Sequence, residues 1–314
     1  MKLIHGLSQM PMLAGSVVTD GMFDGVHLGH QRVLRQVVNE AENLNLPSVL
    51  LTYWPHPRHI LLHSPDKLKI LTSLEEKAEL VAKQGIDYMV VIAFNAEFSH
   101  ITHEKFVKEI LSEGLQTRKI IIGYDHRFGQ NRLGDVAYMR EAGAKYHFEI
   151  MEIGKQEIED IAISSTKIRY SLQNYLLESA SQFLGRYYSI SGTVVQGDQR
   201  GRTIGYPTAN LAISDPNKLI PADGVYATFA YVDGTRFGSM TNIGFRPTVD
   251  GLHHKLETHL FDTDAELYGK ELKIEFVLPI RKEKKFSGLN ELKSQLALDE
   301  SESRELLGRG ESRG

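Results

Sequence analysis

The stretch DGMFDGVHLGH, residues 20–30, decides the fold of the first half of this chain. It follows a short apolar run at 15–19 and precedes residues 31–45, in which apolar side chains recur at helical spacing. That order predicts a strand, a glycine-rich turn and a helix. Gly21, Gly25 and Gly29 let the backbone turn sharply and approach a ligand, and the unpaired N–H groups at the helix start favour an anion. The turn is therefore a candidate phosphate site.

Two histidines lie three positions apart across this turn. His27 and His30 can both donate a hydrogen bond to one charged group, and neither has to act as a base to do so. A cap or a satisfied surface pair is the more usual role of two histidines near a helix start. A metal site is a weaker alternative, because no third ligand is obvious and the chain has no cysteine.

The complete string FDGVHLGH resembles the HxGH signature of the nucleotidyltransferase superfamily. In that superfamily an alpha/beta domain transfers a nucleotidyl group from a nucleoside triphosphate. The resemblance implies that His27 and His30 are catalytic. The positions that it implies for ATP binding in the turn are Gly21, Phe23, Asp24 and Gly29.

Composition sets the class of protein. The chain has 314 residues, of which 41% are hydrophobic and 24% are charged, so it is long enough for two globular domains. A formal net charge of -4 argues against a dedicated nucleic-acid binder. The absence of cysteine suits a reducing compartment, and neither a signal-peptide core nor an apolar run of about 18 residues is present. We expect a cytoplasmic protein with no membrane or nucleic-acid partner.

Strands and helices alternate through the first half of the chain. Apolar runs at 47–54, 87–94, 119–123 and 147–153 are separated by helical patterns. This alternation predicts a Rossmann-like α/β domain with a parallel sheet and helices on both faces. Because ligands bind such sheets at the carboxyl ends of the strands, His56, just after the second strand, is expected near the site.

Two further loops follow strands of this sheet. The loop at 123–129 includes Asp125, His126 and Phe128, a mixture that suits a planar ring with a polar edge, although a plain turn is the alternative. The loop at 163–169 reads ISSTKIR. Its hydroxyl and basic side chains could cradle the phosphates of a triphosphate, or form an ordinary N-cap beside solvated basic residues.

The pattern changes near residue 184. From Tyr187 onward, short period-two strands are separated by Gly and Asp turns, which predicts a second domain that is an antiparallel barrel or sandwich. We place the domains at 1–184 and 185–300. A terminal helix is expected at 287–298, and 301–314 is expected to be a frayed polar tail.

A second chemical constellation lies within the predicted barrel. Residues 197–210, GDQRGRTIGYPTAN, are too rich in glycine and oxygen-bearing side chains for an ordinary strand. The glycines could wrap phosphates, and Thr208 and Asn210, on one face of an extended segment, could supply oxygen ligands to Mg²⁺. Glu257 and His259 face the same way in a later strand. On the sequence pattern alone, Glu257 is more simply a solvated strand residue paired with Lys255 or Arg281.

The stretch GDxRGRxxGxPTAN followed by ETH is similar to riboflavin kinase domains, and HxGH with ISSTxIR is similar to flavin adenylyltransferase domains. In this order, from about Gly15 to Asp299, the chain resembles the bacterial bifunctional riboflavin kinase/FMN adenylyltransferases. The resemblance implies phosphorylation of riboflavin by the C-terminal domain and conversion of FMN to FAD and pyrophosphate by the N-terminal domain. ATP is then a co-substrate of both reactions, Mg²⁺ is the cofactor, and riboflavin, FMN, ATP and FAD are the partners of a monomer or weak homo-oligomer.

The resemblance also implies roles for individual residues. It makes Glu257 the catalytic base of the kinase and Arg169 a catalytic residue of the adenylyltransferase. The ATP-binding positions that it adds are Ser164, Ser165, Thr166, Gly201, Arg202, Gly205, Pro207 and Thr208. Thr208 and Asn210 would hold the metal, and the implied flavin-binding residues are Asp125, Phe128, His56, Arg281 and Phe286.

Two positions depart from the family pattern. Met22 stands where the family often has Asn, and His126 stands where it commonly has an aromatic residue. Two other functions compete with the flavin enzyme: a nucleotidyltransferase for a different phosphate, such as phosphopantetheine or nicotinamide mononucleotide, and a degenerate binding module that senses flavin or binds RNA. The PTAN and ETH strings argue against the first, and the acidic bulk charge argues against the second.

Overall fold

The structure, a computed structural model, describes residues 1–61, 68–123, 126–154, 163–197, 201, 204–248, 251–263 and 265–311. The chain divides into two compact units, Met1–Ser165 and Thr166–Gly314. Each unit has its own sheet and its own apolar core, as the change of pattern along the sequence predicts.

The first unit is built on a six-stranded parallel sheet. Its strands, in chain order, are β1 (Lys2–His5), β2 (Ser16–Asp20), β3 (Ser48–Trp54), β4 (Tyr88–Ala93), β5 (Thr117–Gly123) and β6 (Glu149–Ile153). The spatial order is β1-β4-β3-β2-β5-β6, with every neighbouring pair parallel. The sequence did not lead us to expect β1, which is a short and largely exposed edge strand.

Helices cover both faces of this sheet, which confirms the predicted α/β architecture. They are α1 (Leu28–Leu44), α2 (Pro57–Leu61), α3 (Leu74–Ala82), α4 (Ala96–Ser99), α5 (His103–Lys105), which continues as a π-helix (Phe106–Gly114), and α6 (Val136–Tyr146). Neighbouring residues of a strand point to opposite faces. Val17 packs with α1 and α3 in one buried cluster, and Val18 packs with the π-helix and α6 in the other.

The second unit is a closed antiparallel barrel, which decides between the barrel and the sandwich. Its strands are β7 (Tyr188–Val195), β8 (Ala209–Ala212), β9 (Gly224–Val232), β10 (Thr235–Thr248), β11 (Gly251–Leu260) and β12 (Glu271–Lys282), in the spatial order β10-β11-β8-β7-β12-β9. Buried hydroxyls of Thr228, Ser239, Thr241 and Thr258 bond one another within the barrel wall at 2.7–2.9 Å. These polar groups are therefore satisfied without water.

Two helices that we expected to close the N-terminal domain lie with the barrel instead. They are α7 (Ser165–Gln173) and α8 (Leu177–Leu184), and α8 packs on β7 and β12. Leu172 O accepts a hydrogen bond from Ala222 N at 3.1 Å, and the Tyr175 hydroxyl donates to Asp223 O at 2.6 Å. The division between the compact units therefore falls near Ser165, whereas we placed the domain boundary after residue 184.

The C-terminal segment is a long packed helix, so the expectation of a frayed tail is wrong. Helix α9 spans Leu289–Glu311. Asp299, Ser303 and Leu307 recur every fourth residue on one face, and each is at most 5% exposed. Leu307 packs with Phe229 and other apolar residues of the barrel's outer surface. The segment is polar in composition, but its buried face is continuous.

Candidate active sites

The glycine-rich turn leaves the carboxyl end of β2, the fully buried strand that lies next to β5 in the middle of the sheet. The backbone has positive φ at Phe23 (47°), Gly25 (84°) and Val26 (38°). Only Gly adopts such angles without strain, so Phe23 and Val26 are held by the surrounding structure. Strain of this kind is typical of sites in which the backbone is preorganised for a ligand.

His27 and His30 lie together at the start of α1. His27 is the N-cap, and its Nδ1 accepts a hydrogen bond from His30 N at 3.3 Å. The two rings stack with centroids 3.6 Å apart. Because Nδ1 is the acceptor, the neutral His27 ring carries its proton on Nε2, where it is a donor. The cap that we considered as an alternative therefore exists, and it is compatible with donation to a ligand.

His30 is held in its neutral form. Burial, followed by the charges of His27 and Lys77, lowers the pKa of His30 well below its ordinary value of 6.5. Its Nδ1 is shielded from solvent and has no hydrogen-bond partner in the described residues. A buried polar atom without a partner is costly unless a ligand satisfies it. The residues described contain no group of three His, Asp or Glu side chains able to hold a metal.

Asp24 holds the turn to the segment before α3. Its carboxylate accepts hydrogen bonds from Leu71 N at 2.9 Å and from Thr72 N at 3.1 Å. The Asp24 carbonyl accepts from the Ser165 hydroxyl at 2.9 Å. The carboxylate that we predicted to bind ATP is therefore hydrogen-bonded to backbone N–H groups. These bonds hold the turn against the segment before α3.

Sequence reasoning missed Lys77, which lies on α3 near the turn. The side chain is 1% exposed. Its Nζ lies 3.5 Å from Thr52 Oγ1 and 5.7 Å from the centre of the Trp54 ring. Burial lowers the pKa of Lys77 to about 8, against the opposing effect of Asp24. The only signal in the sequence is a lysine within the predicted helical stretch at 71–80, LTSLEEKAEL.

A polar cluster lies at the carboxyl edge of the sheet beside this turn. The Tyr53 hydroxyl donates to Asp20 Oδ1 at 2.6 Å, and His126 Nε2 lies 3.3 Å from Asp20 Oδ2. Burial, then the charge and hydrogen bond of Asp20, raise the pKa of Tyr53 well above its ordinary value. His126, one of the two departures from the family pattern, is thus paired with a buried carboxylate. Met22, the other departure, accepts a hydrogen bond at its carbonyl oxygen from Thr52 Oγ1 at 3.4 Å.

The remaining predicted residues of the adenylyltransferase lie in different surroundings. Phe128 is 5% exposed and packs in the core with Phe106, so its ring offers no open face to a flavin. His56 is buried at the end of β3, and its Nδ1 accepts from Arg58 N at 3.1 Å. Ser164 is exposed, while Thr166 and Arg169 lie in the second unit. Asp125 lies outside the described residues.

The second candidate site is a cavity of about 400 Å³ on the barrel. It is lined by residues of β9, β10, β11 and β12, the segment at 201–208 and α9. Neighbouring strands align Asn242, Glu257 and Asn210 in one row, because Glu257 pairs with Asn242 on one side and with Asn210 on the other. Paired residues of antiparallel strands share a face. Asn242 is a cavity residue that sequence reasoning did not single out.

The candidate base in this cavity has a cationic neighbour. Glu257 Oε1 lies 2.7 Å from Lys255 Nζ, and both side chains are about one quarter exposed. Arg281, the other partner considered from sequence, instead binds Asp299 through two nitrogens at 2.7–3.1 Å. His259 Nδ1 donates to Pro207 O at 2.7 Å, which fastens the segment that carries Thr208 to β11.

Asn210 fits the predicted role of a metal ligand. The residue is 6% exposed, and its Oδ1 has no hydrogen-bond partner within the described part of the chain. A side chain on Gly197 would collide with the Asn210 amide, so glycine is needed there. An orphaned amide oxygen and the hydroxyl of Thr208 are hard donors of the type that Mg²⁺ prefers. The residues present are therefore suited to Mg²⁺.

The other side of the cavity is apolar. Phe286 lies over the Arg281 guanidinium, 5.5 Å from its central carbon, so the two predicted flavin-binding residues are neighbours. The apolar lining consists of Ile204, Tyr206, Val225, Met240, Phe286, Leu289, Leu292 and Leu296. An apolar wall that faces a few polar groups is typical of sites for planar heterocycles.

A second cavity, of about 450 Å³, adjoins the same segment. Three predicted ATP-binding residues, Gly205, Pro207 and Thr208, line it. Gly201 lines the first cavity, and its carbonyl accepts hydrogen bonds from Ile204 N and Tyr206 N. Thr208 lines both cavities, so they meet at the proposed metal ligand. Arg202 lies outside the described residues.

The folds and sites together define a two-site, nucleotide-dependent transferase. The family model for FAD synthetase matches residues 9–167, and the model for riboflavin kinase matches residues 184–307. The chain is 39% identical over 307 residues to the bifunctional riboflavin kinase/FMN adenylyltransferase of Escherichia coli K12, covering 97% of this chain and 96% of that protein. The chain belongs to the family of bifunctional riboflavin kinase/FMN adenylyltransferases, which confirms the resemblance seen in the sequence.

A second relative has the same description, and one solved structure has the same fold over nearly the whole chain. The Bacillus subtilis enzyme of the same description is 36% identical to this chain over 294 residues. The match covers 92% of each of the two proteins. A solved structure described as a macrolide-efflux protein from Streptococcus pneumoniae is 29% identical, with a TM-score of 0.87 over 96% of this chain and 98% of that one. In the part of the chain that the structure describes, no helix is long and apolar enough to cross a membrane.

Proposed function

We propose that the chain makes FMN and then FAD, with the barrel phosphorylating riboflavin and the parallel-sheet unit adenylylating FMN. The observation that carries this assignment is the row of Asn242, Glu257 and Asn210 across three paired strands, in which Asn242 and Glu257 line the barrel cavity. A carboxylate flanked by amide oxygens suits phosphoryl transfer to a neutral hydroxyl, whereas the histidine turn of the other unit suits transfer between anions.

In the kinase reaction, Glu257 is the general base. The terminal ribityl hydroxyl gives its proton to the Glu257 carboxylate while its oxygen bonds to the γ-phosphorus of ATP. The bond from this phosphorus to the bridging oxygen breaks, and ADP leaves. Thr208 and Asn210 would hold Mg²⁺, which when bound offsets charge on the ATP phosphates. The apolar wall with Phe286 accommodates the flavin ring, and the adjoining cavity beside Pro207 accommodates the nucleotide.

The adenylylation needs no general base, because the nucleophile is already an anion. An oxygen of the FMN phosphate bonds to the α-phosphorus of ATP, and pyrophosphate leaves with the electrons of the broken P–O bond. Neutral His30 and the Nε2–H of His27 donate hydrogen bonds to charge that develops at this phosphorus. Ser164, Ser165, Thr166 and Arg169 are assigned to the pyrophosphate.

The test is a time course of the purified chain with riboflavin, ATP and Mg²⁺, with riboflavin, FMN and FAD separated by chromatography. FMN is expected first, followed by FAD. Omission of Mg²⁺ with a chelator present should stop FMN formation. Binding of flavin without any turnover of ATP would instead support the binding module, and formation of FAD from added FMN without any FMN from riboflavin would refute the assignment of the barrel.

A further inference from the structure

Lys77 is a buried cation that the two reactions described above do not use. Within the described part of the chain its ammonium has one hydrogen-bond acceptor, Thr52 Oγ1 at 3.5 Å, and no carboxylate within ion-pair distance. An ammonium group has three N–H donors. A buried charge with so few partners lowers the stability of the fold. The presence of a lysine at this position therefore calls for an explanation other than stability.

The surroundings of Lys77 connect it to the anion-binding turn. Thr52, which accepts from Lys77, itself donates to the Met22 carbonyl at 3.4 Å. The charged and titratable groups that face Lys77 are Asp24 from the turn and His30 from α1, and the Trp54 ring lies over its Nζ on the β3 side. Through Thr52 the lysine is linked to the backbone of the turn, and it lies near the Asp24 carboxylate that holds the turn.

We propose that Lys77 is a positioning residue for adenylyl transfer: its buried ammonium places a fixed positive charge near the His27–His30 turn, which favours binding of the phosphates there. This inference rests on the proposed function of the first unit. Asp24 is the nearby anion, and its carboxylate is already bound by Leu71 N and Thr72 N. A phosphate at the turn would add the negative charge that the site lacks, and in a poorly solvated interior the attraction is strong.

Loss of the charge should reduce FAD formation while leaving the barrel reaction intact. Lys77→Met keeps the length and apolar character of the stem, and we expect it to lower kcat/KM for FMN adenylylation at least about tenfold. Because the pKa of Lys77 is about 8, adenylylation by the unsubstituted chain should decline above that pH, and the variant should lack this decline. Lys83→Met, at the exposed end of the same helix, is the matched control.

Thermal unfolding distinguishes the proposed positioning role of Lys77 from a purely structural role. Removal of a poorly paired buried charge should leave the melting temperature unchanged or raise it, although activity falls. Trp54, the single tryptophan, reports the unfolding of this unit. The inference is overturned if Lys77→Met forms FAD at the normal rate, or if activity and melting temperature fall together. If the unsubstituted chain forms FMN but no FAD at any pH, the proposed function of the unit fails instead.

Discussion

His30 is the residue whose charge state decides how the histidine turn can act. Its pKa lies well below 6.5, chiefly because the ring is buried, so it is neutral in the folded chain near pH 7. A neutral imidazole can donate one hydrogen bond without the cost of a buried charge. The same depression of the pKa links the stability of the first unit to pH.

The sign of this linkage follows from proton binding. Below about pH 6.5 the unfolded chain protonates His30 and the folded chain does not, so the free energy of unfolding falls as the pH drops from about 6.5 towards the lowered pKa. His30→Gln should remove this part of the pH dependence. Melting curves of Trp54 fluorescence between pH 7 and 5 measure it, and identical pH dependence in the variant would contradict the assignment.

Individual residues also show what could be predicted from the sequence and what could not. His27, His30, Glu257 and Asn210 were singled out because their neighbours form long, specific strings. Lys77 was missed because a lysine in an amphipathic helix is usually solvated, and only the packing of α3 on the sheet reveals its burial. Phe128 was assigned to the flavin because its loop combines acidic, basic and aromatic side chains, but its ring packs against Phe106 in the core.

Among elements, the turn at 20–27 depends on Asp24. This carboxylate accepts from Leu71 N and Thr72 N, so Asp24→Asn turns one acceptor oxygen into a donor that faces other donors. We expect a loss of about 2 kcal/mol in the stability of the first unit, together with slower FAD formation. Melting of Trp54 fluorescence and an FMN-to-FAD assay measure the two effects. Glu42→Gln, on the exposed side of α1, should change neither.

Helix α9 is the element that the sequence described least well. Its composition is polar, and the charge of the buried Asp299 is balanced by Arg281 of β12, an ion pair that the helical pattern does not reveal. The alternation of strands and helices in the first unit, by contrast, follows from local periodicity and was predicted. The helices at 165–184, which we placed with the first domain, pack with the second compact unit because their partners, such as Asp223, follow later in the chain.

The packing of α9 leads to a stability prediction. Leu307 is 5% exposed and lies against the outer surface of the barrel, so Leu307→Ala should destabilise the second unit by about 3 kcal/mol. Thermal unfolding followed by circular dichroism measures the loss. Glu302→Ala, on the exposed side of the same helix, is the control. Equal melting curves for Leu307→Ala and the unsubstituted chain would show that the packing of this helix end does not stabilise the second unit.

At the scale of the whole molecule, one chain carries two sites of different chemistry in two compact units. The net charge of -4 gives no general attraction for anionic substrates, so each site needs local cations. Lys255 adjoins Glu257 in the barrel cavity, and Lys77 lies near the histidine turn. Separation of the two chemistries is the central claim, and it requires that each site can fail alone.

The most direct test assays Glu257→Gln and His30→Gln in parallel, each with riboflavin or with FMN as the flavin substrate and with ATP and Mg²⁺ present. Glu257→Gln should form FMN from riboflavin about 1,000-fold more slowly, yet convert added FMN to FAD at the normal rate. His30→Gln should accumulate FMN and convert it to FAD about 100-fold more slowly. Loss of both reactions in either variant, with the fold intact by circular dichroism, would contradict two separate sites.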